Sequence, residues 1–101
     1  MADITAQELR EKINNKEEII LIDVREPYEH SEYNIGGMLA SLQTSLPYKI
    51  EELKGNERKE IIVYCRSGSR SNMAKHMFQN AGFNNVRNLL GGMLYWQEVI
   101  K

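Results

Sequence analysis

The sequence predicts an α/β domain with a mainly parallel sheet, and two observations carry this prediction. Short β-branched apolar runs at residues 19–22 and 61–64 are too short for helices and fit strands that are covered on both faces. Segments whose apolar residues recur at helical spacing lie between and around these runs. Strands that alternate with helices are typical of a sheet built from βαβ units.

The first elements are a helix and a strand. Thr5 and Glu8 have the spacing of a capping box, in which Glu8 reaches back to the start of the helix. Apolar residues then follow at helical spacing, so we expect a helix over residues 6–14. The run at residues 19–22 is the first strand, and Asp23 follows it.

The second half continues the alternation. Pro47 opens a helix that stops near Gly55, and the central strand follows at residues 61–64. The next helix ends before Gly82, which has the usual C′ position, and a weaker strand lies at residues 86–89. The apolar stripe of that helix comprises Met73, Ala74, Met77, Phe78 and Ala81, and a last helix after Gly91-Gly92 carries Met93, Trp96 and Ile100.

Composition limits the classes of function. With 101 residues and a net charge of −1, residues 1–101 are expected to form one domain, with no footprint for nucleic acid or a membrane surface. The chain has no stretch as long as a transmembrane helix and no signal peptide at Met1, so a cytoplasmic location is expected. Its one cysteine excludes an internal disulfide, and no Cys/His cluster has zinc spacing.

That cysteine, Cys65, ends the predicted central strand, where α/β sheets carry their sites. The loop after it joins small polar residues and two arginines to a helix start. Gly68 lets the loop curl, so main-chain amides can turn inward as an anion-binding nest at the positive end of the helix dipole. The loop reads Cys65-Arg66-Ser67-Gly68-Ser69-Arg70-Ser71.

A free cysteine is commonly an inert, small hydrophobic residue, but these surroundings favour a nucleophile. An ordinary thiol, with a pKa of about 8.5, is roughly 3% thiolate at pH 7. Lowering that pKa by about two units takes roughly 2.7 kcal/mol. Two or three charge-assisted hydrogen bonds, at about 1.5–3 kcal/mol each, suffice, so the sequence predicts a thiolate at Cys65.

Four stretches resemble one known family. They are residues 23–29 (DVREPYE), residues 33–37 (YNIGG), the cysteine loop, and residues 88–93 (NLLGGM) with Trp96. The chain resembles the rhodanese-like (sulfurtransferase) superfamily in its small single-domain form, and the cysteine loop is the most specific match. It departs from the family pattern at Asn34, where a histidine is usual, and at Met38, where a small residue is usual.

The resemblance implies a three-layer α/β/α domain around a five-stranded parallel sheet. It also implies a thiosulfate sulfurtransferase, in which Cys65 takes the outer sulfur of a small anionic donor and passes it, from a persulfide, to cyanide, a thiol or a sulfur-carrier protein. No metal or cofactor is implied. The expected substrate-binding residues are Arg66, Ser67, Gly68, Ser69 and Arg70, with Ser71 capping the helix.

Two alternatives stay open. A cysteine phosphatase or arsenate reductase shares the strand–loop–helix design, but its loop is one residue longer than the four that separate Cys65 from Arg70. A non-catalytic or redox-sensing binding module would also use a reactive thiol. Asp23 and Arg25 are expected to fix loop geometry, whereas His30 and His76 are expected to be solvated.

Overall fold

Helices and strands alternate along the part of the chain that the structure, a computed structural model, describes, which is residues 2–100. The elements are α1 (Ala6–Asn14), β1 (Ile20–Asp23), α2 (Pro27–Glu32), β2 (Met38–Leu39), α3 (Leu46–Glu52), β3 (Ile61–Tyr64), α4 (Ser69–Asn80), β4 (Val86–Asn88) and α5 (Gly92–Val99). None of these helices is both long and apolar enough to span a bilayer.

The sheet is parallel throughout, as predicted. Its strand order is β2-β1-β3-β4, with β1 and β3 in the centre. Asp23 pairs with Tyr64, and Val63 pairs with Asn88. The carboxyl ends of β1, β3 and β4 therefore meet at one edge of the sheet, where the segments after them can combine into a site.

The sheet has four strands among the described residues. The number of five strands, which the family resemblance implied, is therefore wrong for these residues. The neighbouring position beyond β4 is held by a single bridge, in which Ile4 pairs with Leu89 in parallel. The Ile4 amide donates to the Asn88 carbonyl, and the Leu90 amide donates to the Ile4 carbonyl. Because Thr5 is already the N-cap of α1, the chain turns away before a strand can form.

Both faces of the sheet are covered, which gives three layers. Alternate residues of β3 point to opposite faces. Val63 packs with Phe78 of α4 in one buried cluster, which also includes residues of α3. Ile62 packs with Trp96 of α5 in a second cluster, which also includes residues of α1. This double burial explains why β3 reads as a continuous apolar run.

The helix predicted at residues 6–14 has those bounds, but its capping differs in part. The Thr5 hydroxyl accepts a hydrogen bond from the Glu8 amide at 3.1 Å. The Glu8 carboxylate does not complete the predicted capping box and instead pairs with Arg87 of β4 at 2.9 Å. A tertiary ion pair has thus replaced a local contact.

Two short elements and one side chain were not anticipated. Helix α2 buries none of its residues, so it leaves no apolar periodicity to detect, and β2 is only two residues long. Met73 was assigned to the buried stripe of α4, yet it is 59% exposed. The inward face of α4 is narrower than predicted, and Ala74 and Phe78 are its buried apolar members.

Candidate active site

The cysteine loop joins β3 to α4 at the carboxyl edge of the sheet. Cys65 directly follows β3, and α4 begins at Ser69. Gly68 is the N-cap of α4 with φ of +108°, in the left-handed region that favours glycine. This conformation turns the chain sharply enough for the first amides of α4 to point back toward the end of β3.

Three donors converge on the sulfur of Cys65. The Gly68 amide lies 3.1 Å from Sγ, and both the amide and the hydroxyl of Ser71 lie 3.3 Å from it. The two amides belong to the helix start, where main-chain donors have no partner inside the helix. The expected nest of inward-facing donors is therefore present around the sulfur.

These contacts determine the acidity of the thiol. Burial of Cys65 favours the neutral form and opposes ionisation. Hydrogen bonds from the Ser71 hydroxyl and from loop amides favour the thiolate and outweigh burial, so the pKa of Cys65 lies below its ordinary value. The amides that contribute are those of Ser71, Gly68 and Ser67.

The Cys65 sulfur is buried as well as hydrogen-bonded. Cys65 has no solvent-exposed surface and belongs to the apolar cluster between the sheet and α4. The loop above it is exposed at Arg66, Ser67 and Ser69. The loop therefore shields the thiol from solvent.

Ser71 and Asn88 have roles that the sequence did not reveal. The prediction that Ser71 caps the helix is wrong, since Gly68 is the N-cap. The Ser71 hydroxyl lies near Cys65 Sγ, the Gly68 carbonyl and Asn88 Oδ1, and its one hydrogen is shared among these acceptors. The Asn88 amide donates to the Gly68 carbonyl at 3.0 Å. Asn88 could have been found from its place at the end of β4, beside β3.

The start of a second helix, α5, also binds the main chain of the cysteine loop. The amides of Met93 and Leu94, in the first turn of α5, donate to the carbonyls of Cys65 and Arg66 at 2.9 and 3.0 Å. Gly92 makes this approach possible, because a Cβ atom there would lie 2.5 Å from the Arg66 carbonyl oxygen. The sequence left open whether the glycine pair serves close approach or helix entry, and Gly92 serves both.

Arg70, predicted to bind substrate, is held by another side chain. Its guanidinium makes two hydrogen bonds to Glu29 of α2, at 2.7 and 3.0 Å. The hydrogen bond from Arg70 lowers the pKa of Glu29 to about 2. The pair is therefore formed at neutral pH and is lost only as the pH falls toward 2.

Arg66 has a different setting. Within residues 2–100, the ion pairs formed by arginines use Arg25, Arg70 and Arg87 and leave out Arg66. Its side chain lines a cleft of about 180 Å³ beside the loop. The cleft is also lined by Arg25, Glu29, Tyr33, Met93 and Leu94, among others.

The segment after β1 is fixed by a buried carboxylate. Asp23, fully buried, accepts hydrogen bonds from Arg25 Nε at 2.9 Å and Nη2 at 2.8 Å. Arg25 also donates to the Tyr33 carbonyl, which agrees with the expected role of Asp23 and Arg25 in loop geometry. We expected His30 to be solvated, but its Nδ1 lies 2.8 Å from Asp23 Oδ2, so a side chain of α2 contacts the carboxyl end of β1.

The remaining sequence candidates have structural or solvent-facing positions. Asn34 bridges the turn after α2, donating to the His30 carbonyl and accepting from the Gly36 amide. His76 is exposed on α4, as expected. No group of three or more His, Cys, Asp or Glu side chains is placed to hold a metal ion anywhere in residues 2–100.

Comparison with known proteins places this geometry in one family. The family model for the rhodanese-like domain matches residues 5–99. A candidate sulfurtransferase of Bacillus subtilis, YtwF, is 40% identical over 100 residues, covering 98% of this chain and 93% of that protein. A sulfurtransferase of Allochromatium vinosum is 29% identical over 94 residues, covering 93% and 86%. A rhodanese-like domain protein from Staphylococcus aureus superposes with a TM-score of 0.82 at 26% identity, covering 95% and 91%.

The donors around Cys65 predict how its reactivity depends on pH. We expect the midpoint of alkylation by iodoacetamide to lie below about 8.5, the ordinary thiol value, because the donors favour the thiolate. Ser71→Ala should move this midpoint upward, since one donor is lost, while Ser67→Ala, which keeps its amide, should leave it in place. A wild-type midpoint at or above 8.5 would contradict this assignment.

The close approach of α5 predicts a cost for adding a side chain. Gly92→Ala should lower the free energy of unfolding by more than about 2 kcal/mol, because a positive φ is strained for alanine and the new Cβ meets main-chain atoms. The control is Gly82→Ala, with φ of +95° and nothing within 4 Å of its Cβ, which should cost only about 1–2 kcal/mol. If urea denaturation gave both variants the same decrease in the free energy of unfolding, the loop would have moved to relieve the contact with the new Cβ atom.

Proposed function

The chain belongs to the rhodanese-like family, and we propose that it is a thiosulfate sulfurtransferase that carries a sulfane sulfur on Cys65. The observation that carries the proposal is the convergence of two amides and a hydroxyl on this sulfur, at the start of α4. Such donors favour a sulfur that is negatively charged, both as a thiolate nucleophile and as a persulfide.

The proposed reaction has two balanced steps. The Cys65 thiolate attacks the outer sulfur of thiosulfate, a sulfur–sulfur bond forms, and the original one breaks so that sulfite leaves with the electron pair. Cyanide or a thiolate acceptor then attacks the outer sulfur of the persulfide, and the Cys65 thiolate leaves with the electrons of that bond. A thiol-bearing sulfur-carrier protein fits the same acceptor chemistry.

The same donors assist both steps. In the first step they favour the ionised form of the nucleophile, and in the second they stabilise the departing thiolate. They are fixed by the helix start and by the contacts of α5 beneath the loop, so they need little reorganisation during the reaction. The Cys65 sulfur itself makes and breaks the bonds, and the loop supplies its electrostatic surroundings.

A phosphatase is less well supported. In that chemistry, an arginine of the loop would grip the phosphate through two hydrogen bonds. Here the Arg70 guanidinium already makes two hydrogen bonds to Glu29. The four residues between Cys65 and Arg70, one fewer than in a phosphatase loop, also favour a single sulfur over a phosphate group.

Replacement of the sulfur tests the proposal most directly. Cys65→Ser should abolish thiosulfate:cyanide sulfurtransferase activity and keep the thermal transition of the wild type. In the wild type, thiosulfate should add the mass of one sulfur atom, which cyanide then removes. Because Cys65 is the only cysteine, such a persulfide has one site. Retained activity in the variant would rule out the mechanism.

Arg66 is the exposed cation at the cleft, and its removal should weaken the use of thiosulfate. Arg66→Ala should raise KM for thiosulfate about two- to fivefold, the range of an exposed charge contact. Arg10→Ala, which removes the same charge from the exposed side of α1, is the control and should change KM little. Equal effects of the two variants would assign the change to net charge.

A further inference from the structure

The charges around the cysteine loop cancel in pairs. Arg70 is paired with Glu29, and Arg25 is paired with the buried Asp23. Arg66 remains on the cleft, but Glu32 lines the same cleft and carries the opposite charge. The cleft beside the cysteine loop therefore has little net positive charge with which to attract a small dianion.

Without this partner, Arg70 would add a positive charge near the cleft. Its position in the first turn of α4 brings its charge within reach of the Cys65 sulfur, which acts with Glu29 to raise the pKa of Arg70. Glu29 comes from α2, on the other side of the cleft, and it also accepts the Glu26 amide at 3.0 Å. Two hydrogen bonds to a carboxylate that is itself held in place neutralise the guanidinium charge and occupy two of its five N–H donors.

The cleft also offers apolar contacts. Tyr33 and Leu94 are 44% and 49% exposed, and both line the cleft together with the buried Met93. An organic group could lie against these side chains and bury apolar surface there, at roughly 25 cal/mol per Å². Thiosulfate has no such group.

The two donor classes make different demands on the site. Thiosulfate brings two negative charges, and its leaving group, sulfite, keeps both on a small group that needs nearby cations. An organic persulfide, R–S–SH, gives its outer sulfur to the Cys65 thiolate while R–S⁻ leaves with the electron pair of the broken bond. The proton stays on the transferred sulfur or passes to solvent, and the Cys65 persulfide that forms is the same for both donors. The donors therefore differ in the leaving group, which has one negative charge at the sulfur of a thiolate and two on sulfite.

We propose that Glu29 is a specificity-determining residue, which withholds Arg70 from the donor and so favours small organic persulfides over thiosulfate at Cys65. This inference rests on the proposed sulfur transfer at Cys65 and ranks the donors, with thiosulfate as the slower of the two. Glu29 acts through Arg70, so its effect belongs to the ratio of the two donors' kcat/KM values.

The experiment measures this ratio, thiosulfate over the persulfide of 2-mercaptoethanol, which has no other charged group, with cyanide as the acceptor. The wild type should have a ratio below one. Glu29→Gln should raise it at least fivefold, because the freed guanidinium can bind the sulfonate oxygens. Glutamine also serves at the third position of a capping box, so the start of α2 is retained. Glu29→Asp, which keeps the charge but is one methylene shorter, is a second variant and should raise the ratio less.

Two controls separate the release of Arg70 from a change of net charge. Glu32→Gln removes one negative charge from the same cleft and should move the ratio less than twofold, because exposed charges are screened. The double variant Glu29→Gln/Arg70→Gln should lose the gain of the single variant. An unchanged ratio in Glu29→Gln, or an equal rise in either control, would overturn the inference.

Failure of the inference and of the proposed function are distinguishable. A wild type that turns over both donors through Cys65, with a ratio that Glu29→Gln does not move, overturns only the role of Glu29. A wild type that transfers sulfur from neither donor overturns both proposals, and Cys65→Ser supplies the baseline for that decision.

Discussion

The structure of the site depends on one constraint, which is that a sulfur atom without solvent contact must be able to carry a negative charge. Burial of an ion costs several kcal/mol, and Cys65 has no exposed surface. Hydrogen bonds to a charged group contribute about 1.5–3 kcal/mol each, so the amides of Gly68 and Ser71 together with the Ser71 hydroxyl can offset that cost. The lowered pKa of Cys65 is the result of this balance.

The rest of the fold places those donors. The left-handed Gly68 turns the start of α4 toward the end of β3, and the parallel sheet brings Asn88 beside it to hold the Gly68 carbonyl. The start of α5 binds the carbonyls of the loop from the other side. This close approach requires a glycine at position 92. Two helix starts thus act on one loop: α4 on the sulfur and α5 on the main chain beneath it.

The arginines near the loop illustrate how charge and availability differ. Two positive side chains in a cysteine loop suggest a site for anions, but Arg70 is committed to Glu29 at 2.7 Å. Only Arg66 is left facing the cleft without an ion pair in residues 2–100. In the function that we propose, the chemistry resides in the sulfur and its amides, and the pairings around them act on the choice of donor.

The sequence by itself determined the α/β class, the bounds of α1, the central strand and the loop with its nucleophile candidate, because each depends on local periodicity or on residues adjacent in the chain. It could not determine the number of strands, the contacts of Ser71 and Asn88, the His30–Asp23 contact or the partner of Arg70. Arg70 and Glu29 lie 41 positions apart, and only the tertiary fold brings the Glu29 side chain of α2 to the start of α4. Tertiary structure decided these features because ion pairs and hydrogen bonds between distant segments leave no periodic pattern in a single sequence.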